Sequence, residues 1–252
     1  ISYSATCDCL SNRKEYPSFF RTIGSDYYQS RALAYLVKHF GWSWVGAVYS
    51  DNDYGNNGMA IFLKAAKEEG ICVEYSEKFD RADTAKMIKV VNIVKKSTAK
   101  VIIIFLTQFD MISLIDYLIL KNVTGYQIIG SEAWITAVNL VTPASYNIFA
   151  GAIGFDVGKL NINSLADYAV NEFWQTVYPC LNTEKNNSQS GNSCSEYKDM
   201  INFQNYSKDI SELRYAKNLY NAVYAVAHSL QTLLRCTGHL SCEKDKTIQP
   251  WQ

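Results

Sequence analysis

Val101-Ile102-Ile103-Ile104-Phe105-Leu106 is the stretch from which the fold can be read. A short continuous apolar run of this kind is strand-sized. Behind it lies Phe109–Lys121, where Ile112, Ile115, Leu118 and Ile119 recur at helical spacing. A new strand then begins near Gln127 and runs into Ser131-Glu132-Ala133-Trp134. Working back from Val101, strands are expected near Trp42 and Ile71, with helices over Tyr54–Glu69 and Thr84–Lys96. One strand and one helix roughly every 30 residues describes βαβ units on a parallel sheet. An earlier helix, Asp26–Phe40, places Ala32, Leu33, Leu36 and Val37 on one face. The expected class is therefore α/β.

Beyond Phe149–Phe155 the pattern changes. A helix is expected over Leu165–Tyr178, then a polar loop around Asn182–Asn192, then a long helix from about Leu213 to Leu234 with Leu219, Val223, Val226 and Leu230 apolar. This suggests two lobes: residues 25–158 in one, and residues 1–24 with 159–252 in the other. Two chain crossings between them would form a hinge.

Composition excludes several function classes. The chain has 252 residues, 48% hydrophobic and 19% charged, which suits a globular fold. Lys+Arg and Asp+Glu are both 24, so there is no basic excess to hold a nucleic-acid backbone. The longest apolar run is well short of the ~18 residues of a membrane helix. With Ile1 first and Trp251-Gln252 last, the chain reads as an internal fragment. Asn122-Val123-Thr124, Asn186-Asn187-Ser188 and Asn205-Tyr206-Ser207 are glycosylation sequons. Of seven Cys, Cys180 and Cys194 bracket the polar loop, and Cys236 and Cys242 a shorter one containing Gly. That suits disulfides closing local loops in an oxidising compartment, with an odd thiol left over.

Ligands of open α/β sheets bind beyond the carboxyl ends of the strands. Asp51-Asn52-Asp53-Tyr54-Gly55 and Ser131-Glu132-Ala133-Trp134 follow expected strands directly. Ser4-Ala5-Thr6 and Asp26 add hydroxyls and a further acid. Hydroxyls suit a carboxylate, while Asp26, Tyr54 and Glu132 suit an ammonium. The set describes a pocket for a free α-amino acid. Each member has a plainer role open to it: Asp26 as a helix cap or first-turn acid, Tyr54 as packing at the sheet edge, Ser4 and Thr6 as turn formers. Catalytic alternatives are thin. His39 and His228 sit on helices that read as packed, and the chain has no nucleophile elbow, phosphate loop or dinucleotide fingerprint. Cys236-x-x-His239-x-x-Cys242 lacks standard zinc spacing. No enzyme is expected.

Ile1-Ser2-Tyr3-Ser4-Ala5-Thr6, Phe20-Arg21-Thr22-Ile23, Asp53-Tyr54-Gly55, Ser131-Glu132-Ala133-Trp134 and Tyr220–His228 resemble, in order and spacing, the ligand-binding region of class C G-protein-coupled receptors. Within that family the chain resembles calcium-sensing and vomeronasal type-2 receptors, and the fish olfactory branch most, on Cys7-Asp8-Cys9-Leu10-Ser11-Asn12 and Glu69–Glu74. The resemblance implies a bilobed periplasmic-binding-protein-like fold, the Venus flytrap, present here only in part, and an extracellular module of a dimeric plasma-membrane receptor coupled to a G protein. It implies that Ser4, Ala5 and Thr6 hold an α-carboxylate and that Asp26, Tyr54 and Glu132 surround an α-amine. It pairs Cys180 with Cys194 and Cys236 with Cys242, and sends Cys72 to an absent cysteine-rich domain. It suggests Ca²⁺ near Asp26, Gln29, Ser131 and Glu132, with no other cofactor, and leaves Cys7 and Cys9 without assigned partners. Gly24 stands where the family usually has Pro, which frees φ in the interlobe segment. Other readings are a cation-sensing ectodomain, a soluble solute-binding protein of the same fold, a secreted hydrolase, or a non-functional gene fragment.

Overall fold

The computed structural model describes residues 1–158 and 215–236. The chain forms two compact units, Ile1–Val157 and Gly158–Gln252. In the first, β1 (Trp44–Ser50), β2 (Cys72–Phe79), β3 (Val101–Phe105), β4 (Gln127–Gly130) and β5 (Ile153–Gly154) form one sheet in the order β2-β1-β3-β4-β5. Every pairing is parallel. This is α/β architecture with parallel βαβ units, as the sequence leads one to expect.

The connections are α1 (Asp26–His39), α2 (Asp53–Glu68), α3 (Thr84–Lys96), α4 (Gln108–Leu120) and the short α5 (Tyr146–Phe149). Each of α1 to α4 starts where a polar side chain accepts a free backbone N–H of the first turn: Ser25 from Tyr27, Asn52 from Gly55, Asp83 from Lys86 and Thr107 from Asp110. Of the two roles open to Asp26, cap or first-turn acid, it takes the second: it is the first helical residue, and Ser25 is the cap.

β3 is buried along its whole length. Its side chains alternate between two cores, as successive strand residues must. Ile102 and Ile104 join Val90, Val94, Leu114, Leu118 and Trp134 on one face, beneath α3 and α4. Val101, Ile103 and Phe105 join Leu33, Val37, Phe62 and Ala66 on the other, beneath α1 and α2. Close packing demands glycine at several places, two of them at β1 and its exit. A Cβ on Gly46 would fall 2.1 Å from the Tyr75 ring, and one on Gly55 would fall 2.1 Å from the Ser50 carbonyl oxygen. The second approach lets α2 start directly against the end of β1.

Residues 1–24 lie within the same compact unit as the sheet. Ser2 and Arg21 form a parallel bridge, with Ser2 N–H donating to Phe20 C=O at 2.8 Å and Thr22 N–H to Ser2 C=O at 3.0 Å. Between them lies a 3₁₀ turn, Asp8–Ser11. In the second unit the described residues form a helix, Ala216–Leu233, within the span expected to be helical. Its buried residues are Ala216, Asn218 and Ala222, while Leu219, Val223, Val226 and Leu230 are exposed. His228, expected inside a packed helix, is also exposed. The expected helix Leu165–Tyr178 lies outside the described residues.

Candidate functional site

The chain runs outward from β1 to β2 and crosses back to β3, so the order of the sheet reverses beside β1. Crevices at such switch points, outside the carboxyl ends of strands, are where α/β sheets hold ligands. Three of the expected residues arrive there through local structure. Tyr54 is the second residue of α2, and Glu132 follows β4 by two residues. Asp26 opens α1, and its N–H donates to the Thr6 carbonyl at 2.9 Å.

Gln29 joins these parts. Its amide oxygen accepts the Glu132 backbone N–H at 2.8 Å, and its NH₂ donates to Asp26 Oδ1 at 3.1 Å and also to Glu132 Oε2. The Tyr54 hydroxyl donates to the same carboxylate, at 3.2 Å to Oε2 and 3.4 Å to Oε1. The Tyr54 ring leans on Phe105 with centroids 4.6 Å apart, which fixes the hydroxyl. Asp26 is 1% exposed, and its Oδ2 has no hydrogen-bond partner. Thr6, Asp26, Gln29, Glu132, Phe155 and Asp156 contribute to a cleft of about 190 Å³, and among the described residues no Lys, Arg or His lines it.

Two carboxyl groups held this close and this dry cannot both ionise cheaply. Burial, then the Glu132 charge, pushes Asp26 up to about 7. Burial also raises Glu132 above the usual carboxylate range, and burial with the two carboxylates lifts Tyr54 well above its ordinary value. The consequence for stability has a definite sign. The unfolded chain releases the Asp26 proton near 3.8, whereas the folded chain keeps it to about 7. The unfolded state then binds fewer protons, so stability falls as pH rises across that window and levels off above it. Asp26→Asn should flatten the slope. Melting temperatures at several pH values between 4 and 8 check this, and equal slopes in both proteins would refute it.

Other expected residues are placed differently. Ser4 is exposed and Ala5 half-buried; both amides donate to Ser2 Oγ, at 3.4 and 3.0 Å, and neither residue lines the cleft. Ser131 is fully buried beside Tyr54. For Ca²⁺, which takes about six to eight oxygens, Asp26, Gln29 and Glu132 supply too few, since the Gln29 oxygen already accepts a backbone N–H. Among the described residues no group of three or more His, Cys, Asp or Glu is arranged to hold a metal. These residues alone do not fit a calcium centre.

The sequence reading passed over a second polar cluster at the strand ends. Asp110 Oδ2 accepts Ser50 Oγ at 2.5 Å and Thr107 Oγ1 at 2.8 Å, and Ser50 Oγ accepts the Thr107 N–H at 3.0 Å. It clamps the ends of β1 and β3 on which Tyr54 and Phe105 depend. Thr107-x-x-Asp110 before an apolar run is a capping-box signal that would have found it.

Cys7 and Cys9, left unassigned from the sequence, are bonded to each other. Cys72 is a free, exposed thiol at the start of β2. Cys236 is disulfide-bonded, while Cys180, Cys194 and Cys242 lie outside the described residues. Asn122 is exposed in the turn after α4; Asn186 and Asn205 lie outside the described residues. No described helix is long and apolar enough to cross a membrane.

Comparison with known proteins agrees with this architecture. Residues 1–252 match the family described as the receptor family ligand binding region. The chain is 29% identical over 295 residues to the extracellular calcium-sensing receptors of Bos taurus and Homo sapiens, covering 100% of this chain and 27% of each receptor. It is 31% identical over 271 residues to taste receptor type 1 member 3 of Rattus norvegicus, covering 100% of this chain and 31% of that protein. It thus spans less than a third of the length of these relatives. A receptor binding region of this kind is not an enzyme. With a parallel α/β sheet presenting a ligand-sized cleft and a family match along its whole length, the chain belongs to the receptor family ligand binding region, the ectodomain module of class C G-protein-coupled receptors.

Proposed function

We propose that this chain binds free α-amino acids in an extracellular chemosensory receptor, and that Asp26, Tyr54 and Glu132 receive the ammonium. The observation that carries this reading is the pair of buried carboxyl groups bridged by Gln29, with no partner for Asp26 Oδ2 and no cation lining the cleft among the described residues. An arriving ammonium supplies the missing positive charge and N–H donors. Thr6, which lines the cleft, takes the carboxylate, and Ser4 and Ala5 join it only once their amides leave Ser2 Oγ. In this reading residues 25–158 form one lobe, while residues 1–24 and 159–252 belong to the other. The Thr6–Asp26 hydrogen bond is then a contact across the ligand cleft. A ligand gripped from both sides favours the closed form through its differential affinity. Closure passes to a second protomer and to a G protein through a plasma-membrane domain.

The olfactory branch is the proposed setting, with Asn122, Asn186 and Asn205 glycosylated, Cys72 bridged to a neighbouring domain, Cys180 paired with Cys194, and Cys236 with Cys242. Ca²⁺ at Asp26, Gln29, Ser131 and Glu132 is the weaker proposal, because it needs further oxygen ligands from the ligand or the rest of the receptor.

Calorimetric titration of the complete receptor ectodomain with the standard amino acids tests the reading. Binding that needs both the free α-amine and the free α-carboxylate is expected. A folded ectodomain that binds none of them would refute it. Tyr54 separates two contributions. Tyr54→Phe removes the hydroxyl that donates to Glu132 and should weaken binding by about 0.5–1.5 kcal/mol. Tyr54→Ala also removes a cation–π face worth about 0.5–2 kcal/mol, so it should cost more. Equal losses in the two variants would exclude the ring.

A further inference from the structure

We propose that Arg21 is the positioning residue that sets the carboxylate-binding segment of the cleft. The proposal rests on the amino-acid reading. Its guanidinium Nη1 donates to three successive carbonyls, Ala5 at 3.5 Å, Thr6 at 3.0 Å and Cys7 at 2.9 Å, the first being the weakest. Nη2 donates to Ser11 Oγ at 2.5 Å. One rigid fork therefore turns the carbonyls of residues 5–7 toward itself.

The fork is also anchored to α1. Asp8 Oδ1 accepts Ser11 Oγ at 3.2 Å and Ser25 Oγ at 2.6 Å, and Ser25 caps α1 immediately before Asp26. The Thr6 carbonyl that Arg21 holds is the one that accepts the Asp26 N–H. The Cys7–Cys9 disulfide closes the same loop from behind, and Cys7 Sγ approaches the Asp53 carbonyl, beside Tyr54, at 3.7 Å. The Arg21 guanidinium thus holds the carboxylate end of the cleft in fixed register with Asp26 at the ammonium end. Lys replaces it poorly, because its single nitrogen cannot hold the carbonyls that Nη1 gathers and reach Ser11 Oγ, the Nη2 acceptor, at the same time.

Titrating the receptor ectodomain with L-alanine, L-phenylalanine, L-arginine and the methyl ester of each tests the inference. The esters keep the amine and lose the carboxylate charge. In Arg21→Lys the affinity for the free acids should fall about tenfold while that for the esters stays unchanged, since only the carboxylate end is displaced. The preference for acid over ester should collapse accordingly. A general weakening of the fold would lower both, and equal losses would overturn the positioning role, as would an unchanged preference. Should Arg21→Lys fail to fold, Ser11→Ala removes the Nη2 acceptor, together with the hydroxyl's own bond to Asp8, and should reduce the preference about two- to threefold; an unchanged preference there would equally overturn it. A wild-type ectodomain that binds none of the six compounds would instead defeat the amino-acid reading itself.

Discussion

If the cleft holds the ammonium as proposed, Glu132→Ala should weaken amino-acid binding by about 2–5 kcal/mol, the cost of truncating one partner of a buried, hydrogen-bonded charge pair. Three groups address the Glu132 side chain or its backbone: the Tyr54 hydroxyl, the Gln29 NH₂ and the Gln29 amide oxygen. Removing the carboxylate takes that acceptor from the Tyr54 hydroxyl, leaves the Gln29 NH₂ with Asp26 Oδ1 alone, and removes the ionised group offered to the ligand ammonium. A partial compensation is built in. The Glu132 charge helps to keep Asp26 protonated, so its loss allows Asp26 to ionise at lower pH and to take more of the ammonium's charge. The double variant Asp26→Asn with Glu132→Ala should therefore lose more than the sum of the two single losses, because neighbours sharing one network do not act additively. Calorimetric affinities of the four proteins measure this. Unchanged affinity in Glu132→Ala would remove the residue from the site.

Trp134→Ala should destabilise the sheet-bearing unit by about 3–5 kcal/mol, the usual cost of emptying a large buried aromatic site. Trp134 is 2% exposed and packs into the core beneath α3 and α4. Its ring lies 5.8 Å from that of Phe149, and its indole N–H donates to the Ile104 carbonyl at 3.1 Å. The notch it fills exists because residue 130 is glycine: a Cβ there would fall 2.5 Å from the indole ring. The Ile104 carbonyl keeps a second donor, the Ser131 N–H at 3.2 Å, so the loss is chiefly one of packing. Urea unfolding followed by circular dichroism should show a lower midpoint with an unchanged slope. A loss under about 1 kcal/mol would mean that the site collapses around the smaller side chain. Glu132 stands two residues before this anchor, so ligand affinity should fall in the same variant.

Much of this was legible locally. The β3 strand was visible because a short continuous apolar run is strand-sized; that it is buried along its whole length only the structure shows. Four helices fell within a residue or two of their expected bounds, since their apolar spacing and polar first turns are short-range signals. What failed to show was anything that depends on the company a residue keeps. Gln29 was read only as a possible neighbour of a cation, yet it holds Asp26 and reaches Glu132 across 103 residues of sequence. Asp110 was missed because its acceptor role for Ser50 spans 60 residues. Arg21 was noted as part of a motif, without any sign that it gathers three carbonyls. His228 was expected to be packed, and its helix leaves that position exposed.

By itself the sequence determined the α/β class, the parallel βαβ units and the strand ends from which Tyr54 and Glu132 project. Periodicity of 2 or 3.6 and the chemistry of helix starts act over a few residues and can be read from any window of the chain. Tertiary structure alone decided the strand order β2-β1-β3-β4-β5, the meeting of Asp26 with Glu132, and the pairing of Cys7 with Cys9. Equal spacing of strands is compatible with several orders, and only the order chosen brings residues far apart in the chain to one dry cleft. There burial removes the water that would otherwise screen the two carboxyl groups, and an ordinary Asp becomes one that keeps its proton to about pH 7.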